Sequence, residues 1–242
     1  MGAVKFANIK FKALEKNTLL DGKPELKIVV TANSEIIVKA NEDAKLNKIL
    51  NENFTTFDGR IPHVLAKISN KTEEISKISG SDFIYDCCKR ARQEGERIFL
   101  LGCSEDINRD AVLKIREQYG IQVEGFSPVK ADYPFPDLHN KKILGKIKLF
   151  KPDYLFVGFG APKQEYWMEE HKEFLQNLGV KVVVGSGGTF DFVAGAVKRA
   201  PKLIQKIGLE GIWRFLMEPK WFRFKRILVS FKIFYYWLSS KK

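Results

Sequence analysis

The residues of this 242-residue chain that could do chemistry gather in four short polar segments, each following an apolar run. Asp58 follows Phe54 to Phe57 and precedes Gly59. A carboxylate at a strand end with a glycine behind it can act as a general base, or can close an Asx-turn that only steadies the loop. Thr31-Ala32-Asn33 ends the apolar run from Leu26. The segment Gly158-Phe159-Gly160-Ala161-Pro162-Lys163-Gln164-Glu165 puts two glycines after a third run, then Pro162 as a first helical residue, then three polar residues in the first turn. Such a turn lets a phosphate or sugar approach the backbone, and is also a common strand-to-helix connection. Gly185-Ser186-Gly187-Gly188-Thr189-Phe190-Asp191 is a second glycine-rich turn, in which Thr189 and Asp191 suit either caps or ligand contacts. Lys198-Arg199-Ala200-Pro201 adds two cations that could balance a diphosphate leaving group.

Other chemistries lack their residues. There is no G-x-G-x-x-G and no Walker A sequence, which removes the usual support for dinucleotide and P-loop sites. No D-x-D, D-x-E or E-x-D triplet occurs, and His63, His139 and His171 stand far apart, so no metal ligand set is expected and no cofactor is implied. Cys87, Cys88 and Cys103 lack C-x-x-C spacing and read as reduced cysteines packed as small hydrophobes.

The elements that must position these segments alternate between short β-branched runs and longer stretches of helical period, the pattern of parallel strands joined by crossover helices. Strands are expected at Leu26 to Thr31, Phe54 to Phe57, Arg97 to Leu101, Ile121 to Gly125, Tyr154 to Val157 and Val180 to Val184. Helices are expected near Ser34 to Leu50, Ser81 to Glu94, Asp106 to Tyr119, Asp137 to Phe150 and Lys163 to Leu178. The fold class is α/β: a Rossmann-like parallel sheet with crossover helices plus a basic, aromatic C-terminal helical appendage. In such sheets ligands collect where strands end and helices begin, so all four polar segments are expected along one edge. The expected division is a catalytic core over residues 1–200 and an appendage over 201–242.

The formal charge of +12 is unevenly spread. After Ala200 ten lysines and arginines face only Glu210 and Glu218, leaving +8 in the tail. The same stretch holds three of the four tryptophans, Trp213, Trp221 and Trp237, with seven further aromatic residues interleaved among the cations. That mixture suits an anionic membrane surface, where aromatics settle at headgroup level and Lys and Arg reach lipid phosphate. The apolar run from Ile227 to Leu238 is broken by Lys232 and is too short to span. A helix packed on the core or in a homo-oligomer interface remains the alternative for the tail. Nucleic acid is not an expected partner, because the pattern supplies no groove or stacking platform. The N-terminus lacks the continuous apolar stretch of a signal peptide, so the chain is expected in the cytoplasm, peripheral on the inner face of the cell membrane.

With these segments in order, the chain resembles the WecG/TagA/CpsF glycosyltransferases, family 26 in the usual classification. The resemblance runs from about Thr31 to Arg226. It is carried by Thr31-Ala32-Asn33-Ser34-Glu35, Asp58-Gly59, Gly80-Ser81-Asp82, Ile98 to Gly102, Pro152 to Glu165, Gly185 to Asp191, Gly195, Arg199-Ala200-Pro201, Gly208-Leu209-Glu210 and Arg214. It implies transfer, with inversion and generally without a metal, of N-acetylmannosamine, its uronic acid or a related sugar. The donor would be a UDP-sugar and the acceptor a sugar on a polyprenyl diphosphate, in cell-surface polysaccharide synthesis. Asp58 matches the aspartate assigned as catalytic base, Thr31 and Asn33 match polar pocket residues, and Gln164 matches a pocket glutamine. Gly160, Glu165, Gly187, Gly188, Asp191 and Arg199 are the remaining substrate-site candidates of the turns, and the family's tail arginines point to Arg214, Arg223 and Arg226. The chain departs from the family at Ala32 and Phe57, where proline is common, and at Gly211, where tryptophan often stands. A non-catalytic nucleotide-sugar or lipid-binding protein on the same scaffold is the alternative reading.

Overall fold

The computed structural model describes residues 3–12, 14–22, 25–71 and 74–240. The first half contains the strands β1 (Val4–Phe6) and β2 (Ile9–Phe11), helix α1 (Lys16–Leu19), β3 (Lys27–Ala32), α2 (Ser34–Glu42), α3 (Ala44–Glu52), β4 (Phe54–Phe57), α4 (Arg60–Ser69) and α5 (Gly80–Glu94). There follow β5 (Ile98–Gly102), α6 (Glu105–Tyr119), β6 (Val123–Phe126), α7 (Asp137–Phe150), β7 (Tyr154–Gly158), α8 (Lys163–Glu170), α9 (Lys172–Asn177) and β8 (Val182–Gly185). The last elements are α10 (Thr189–Val193), α11 (Lys202–Ile207), α12 (Glu210–Met217), α13 (Trp221–Phe231) and α14 (Ile233–Ser239).

Six strands form a parallel sheet in the order β4-β3-β8-β7-β5-β6. The strands expected from the sequence are all present, although β6 and β8 begin two residues later than Ile121 and Val180. β5, β7 and β8 read as unbroken apolar runs because both faces of such a sheet are covered by helices, whereas the edge strands β4 (Phe-Thr-Thr-Phe) and β6 (Val-Glu-Gly-Phe) are mixed. Val182, Val183 and Val184 of β8 are each at most 2% exposed. Two helices expected as single spans are divided. Asp43 ends α2, and its carboxylate accepts from the Leu46 N–H as the cap of α3. At His171 the ring Nδ1 lies 2.9 Å from the Trp167 carbonyl oxygen, between α8 and α9.

The chain forms two compact units. One comprises residues 20–29 and 80–197, with a core of Leu101, Val157, Trp167, Leu175 and their neighbours. At the amino ends of its strands, buried Glu96 accepts from the Tyr154 hydroxyl at 2.6 Å and from Lys181, whose ammonium also meets Asp153 at 3.0 Å. The Asp153 carboxylate in turn accepts from the Arg97 N–H at 2.8 Å. The network fastens the starts of three neighbouring strands, β5, β7 and β8. Burial pushes the Tyr154 phenol above its ordinary range, and its hydrogen bond to Glu96 adds to the effect.

The other unit comprises residues 1–19, 30–79 and 198–242. Its antiparallel hairpin, β1 with β2, was not foreseen. Phe57 of β4 stacks on Phe11 with ring centroids 3.8 Å apart, and Phe6 meets both rings edge-on. The departure from proline at position 57 therefore lies in the core. Gly211, the tail departure, has nothing within 4 Å of the place a Cβ would occupy.

Candidate active site

In the unit that holds Asp58, β3 and β4 are neighbours, and the Asp58 N–H donates to the Ala32 carbonyl oxygen at 3.0 Å. That bond sets Asp58 against the residue between Thr31 and Asn33, so three sequence candidates from two segments meet at adjoining strand ends. Gly59 follows at φ 94°, a left-handed conformation that glycine adopts without steric cost, and caps α4. Thr31 is buried, while Asp58 and Asn33 are partly exposed. The Asn33 side-chain oxygen accepts from the Ile36 N–H at 3.0 Å, which makes Asn33 the cap of α2.

The tail helices belong to this same unit. Glu35, 5% exposed in the first turn of α2, receives Lys39 at 2.7 Å and the Arg226 guanidinium of α13. Further along, Lys232 meets Glu42 at 2.8 Å, and the Trp237 indole donates to the Ser69 hydroxyl at 2.7 Å. Arg223 pairs with Glu218, and Arg214 is half-buried on α12. The turn before α12 sits on the start of α4. Gly208, at φ 83°, is the cap of α11, and a Cβ there would lie 3.1 Å from Ile61 Cγ1 and 3.2 Å from Arg60 Cβ. Glu210 faces Lys77 at 4.0 Å. Arg199 is exposed, just before α11. Glu35 is the residue that sequence reasoning left without a role, although it ends the Thr-Ala-Asn-Ser-Glu segment. The only local hint was a glutamate among apolar neighbours.

In the second unit the two glycine-rich turns are joined by Gln164. Its side-chain oxygen accepts from the N–H of Gly160 at 3.1 Å and of Gly187 at 3.2 Å, and its Nε2 donates to Glu165 Oε1 at 2.8 Å. Gln164 and Glu165 are both buried, at 2% and 0% exposure. Pro162 is the cap of α8 rather than its first helical residue, and Gly188 rather than Thr189 caps α10. Asp191 stands in the first turn of α10, with the Cys103 sulfur 3.9 Å from its Oδ1. Lys163 turns to the Asp132 carboxylate at 2.8 Å, and that pairing holds the Asp132 carboxyl below its ordinary value.

In a parallel α/β sheet the strand ends, where glycine-rich turns lead into helix N-termini, are where ligands collect. A profile of the "Glycosyl transferase WecG/TagA/CpsF family" matches residues 2–242. The chain is also similar to proteins of Staphylococcus aureus named N-acetylglucosaminyldiphosphoundecaprenol N-acetyl-beta-D-mannosaminyltransferase. For strains MRSA252 and NCTC 8325 / PS 47 the identity is 32% over 217 residues, covering 88% of this chain and 80% of the relative. The chain belongs to the WecG/TagA/CpsF family, and it is a glycosyltransferase.

Proposed function

We propose that this chain transfers an N-acetylmannosamine-type sugar from UDP to the sugar of a polyprenyl-diphosphate-linked acceptor, with inversion and without a metal, in the synthesis of a cell-surface polysaccharide. The relatives' name supports N-acetylglucosaminyl diphosphoundecaprenol as acceptor and a β-linked product. A single displacement on an α-linked nucleotide donor gives that β linkage. In it, the Asp58 carboxylate takes the proton of the acceptor hydroxyl as the hydroxyl oxygen bonds to the anomeric carbon. The bond from that carbon to the diphosphate oxygen breaks, and UDP leaves with the electron pair. What supports the reading is the Asp58 to Ala32 hydrogen bond, because it fixes the carboxylate-bearing turn beside Thr31 and Asn33.

Stabilising the charge that grows on the diphosphate falls to preorganised donors, each worth roughly 3 kcal/mol in comparable sites. Arg199, Arg214, Arg223 and Arg226 are the residues we assign to this, with Gly188 and Asp191 near the nucleotide. Pairing of Arg223 with Glu218 and of Arg226 with Glu35 is compatible with the role, since a guanidinium carries five N–H donors. The division into a core over 1–200 and an appendage over 201–242 is functional: the appendage completes the site and meets an anionic membrane on its inner face. No helix among the described residues is long and apolar enough to cross a membrane. Exposed Trp221, Phe222, Phe231 and Tyr235 offer an interfacial surface instead.

The deciding experiment is transfer from a UDP-sugar to a lipid-linked acceptor by Asp58→Asn protein. The chemical rate should fall about 10²-fold or more with donor binding little changed, because a general base acts in the transition state. Full activity in the folded variant would sink the assignment. The same assay with EDTA present should run at an undiminished rate, and rescue by Mn²⁺ after a loss would show a metal site.

A further inference from the structure

We propose that Gln164 is a positioning residue, a clasp that holds the two glycine-rich turns together, and not a group that touches substrate. β7 and β8 are paired in register from Tyr154↔Val182 to Val157↔Gly185, and there the paired register ends. Just beyond it the backbone enters left-handed conformations at Gly160 (φ 82°) and Gly187 (φ 42°), and the N–H groups of both residues donate to one atom, the Gln164 side-chain oxygen. One amide therefore spans two turns that the sheet has ceased to tie.

The orientation of that amide is set by its other end. Nε2 donates to the Glu165 carboxylate, which accepts but does not donate when ionised. Turning the amide over would set oxygen against oxygen at Glu165 and NH₂ against the two backbone N–H groups. Gly185 makes room for the arrangement, since a Cβ there would fall 2.9 Å from Gln164 Nε2 and 3.0 Å from Glu165 Oε1. With two acceptor positions filled, one N–H engaged and 2% of its surface exposed, Gln164 has little left to offer a sugar or phosphate. The same bonds occupy the N–H groups of Gly160 and Gly187, so these two are not the donors that meet a diphosphate.

The proposal rests on the reading that these turns hold the nucleotide donor, but the clasp itself can be observed without substrate. Hydrogen exchange of the free full-length protein is compared for wild type, Gln164→Met and Gly185→Ala, alongside steady-state transfer. Gln164→Met keeps the volume and removes the hydrogen bonds; Gly185→Ala drives a methyl group into the amide and serves as the second route should the Met variant not fold. Both should lose at least tenfold in protection at Gly160 and Gly187, and kcat/KM should fall at least tenfold. Unchanged protection with a raised donor KM would make Gln164 a substrate contact and overturn the clasp. Lost protection with unchanged kcat/KM would overturn its role in positioning. Loss of activity in Asp58→Asn tests the transfer reading separately and moves neither amide.

Discussion

Gly208 joins the tail to the turn that carries Asp58, and replacing it should loosen that joint by an amount that can be worked out in two parts. At φ 83° an L-residue costs roughly 1–2 kcal/mol. The added Cβ would also press on Ile61 Cγ1 at 3.1 Å and Arg60 Cβ at 3.2 Å, an overpacking of roughly 1 kcal/mol at the low end of such effects. Gly208→Ala should thus weaken docking of the α11–α12 turn on α4 by about 2–3 kcal/mol, on the order of thirtyfold or more in the opening equilibrium. Gly208→Asn keeps the contact but relieves part of the strain, because asparagine tolerates the left-handed region better. Hydrogen exchange over residues 60–63 and 207–210 should therefore rank Ala fastest, Asn next and Gly slowest, and kcat should fall in the same order. Equal protection in Gly208→Ala and wild type would show that the turn is not held by this contact, and the reasoning would fail.

Two further outcomes follow from other parts of the molecule. The Tyr154 phenol is held above its ordinary pKa by burial and then by Glu96, so its contribution is complete below about pH 10 and is lost as pH rises beyond that. Lys181 acts in the same sense: burial opposes its charge, but hydrogen bonds to Glu96 and Asp153 outweigh it and raise the ammonium. Stability measured by denaturant titration should decline above about pH 10 with a slope of up to roughly 1.4 kcal/mol per pH unit from Tyr154, and Tyr154→Phe should flatten it. At the tail, replacing Trp221, Phe222 and Phe231 together by serine should release the folded protein from anionic vesicles, as should raised salt, because these side chains are about half exposed or more. Sedimentation with vesicles at unchanged affinity would place the membrane contact elsewhere. Truncation at Pro219 is the poorer test, since it removes Ile233, which is 1% exposed and part of the core.

What could be read in the sequence and what could not divides along the range of the interactions. β3, β5, β7 and β8 were legible because burial on both faces makes them continuous apolar runs, and the turns after them because glycine and proline mark such connections. The β1–β2 hairpin escaped because its strands are three residues long and its turn, Ala7-Asn8, takes positive φ at both positions without a glycine. Asp58 was legible as a strand-end carboxylate, but not that its N–H would bind Ala32. Gln164 was legible as a polar residue of a glycine-rich turn through its neighbours, whereas its link to Gly187 spans 23 positions and follows only from the pairing of β7 with β8. In the tail the cations were plain but their partners were not, because Arg226 and Lys232 answer to carboxylates 191 and 190 residues away; Lys241 and Lys242 lie outside the described residues.

Glu35 shows how such distant pairing bears on the site. A carboxylate at 5% exposure has given up most of its solvation and needs charged partners in exchange, and Lys39, one helical turn along α2, supplies one from within the same helix. The second, Arg226, reaches it only when α13 lies along α2. Docking of the tail therefore brings a second cation to a carboxylate that is buried in the folded unit, two residues after Asn33 and four after Thr31. An exposed acid on the same helix would give at most about 1 kcal/mol to such a contact, and salt would erode it. The buried one makes attachment of the tail depend on the same short helix whose cap lies beside Asp58, so the arginines assigned to the leaving group and the carboxylate assigned to the acceptor share one support.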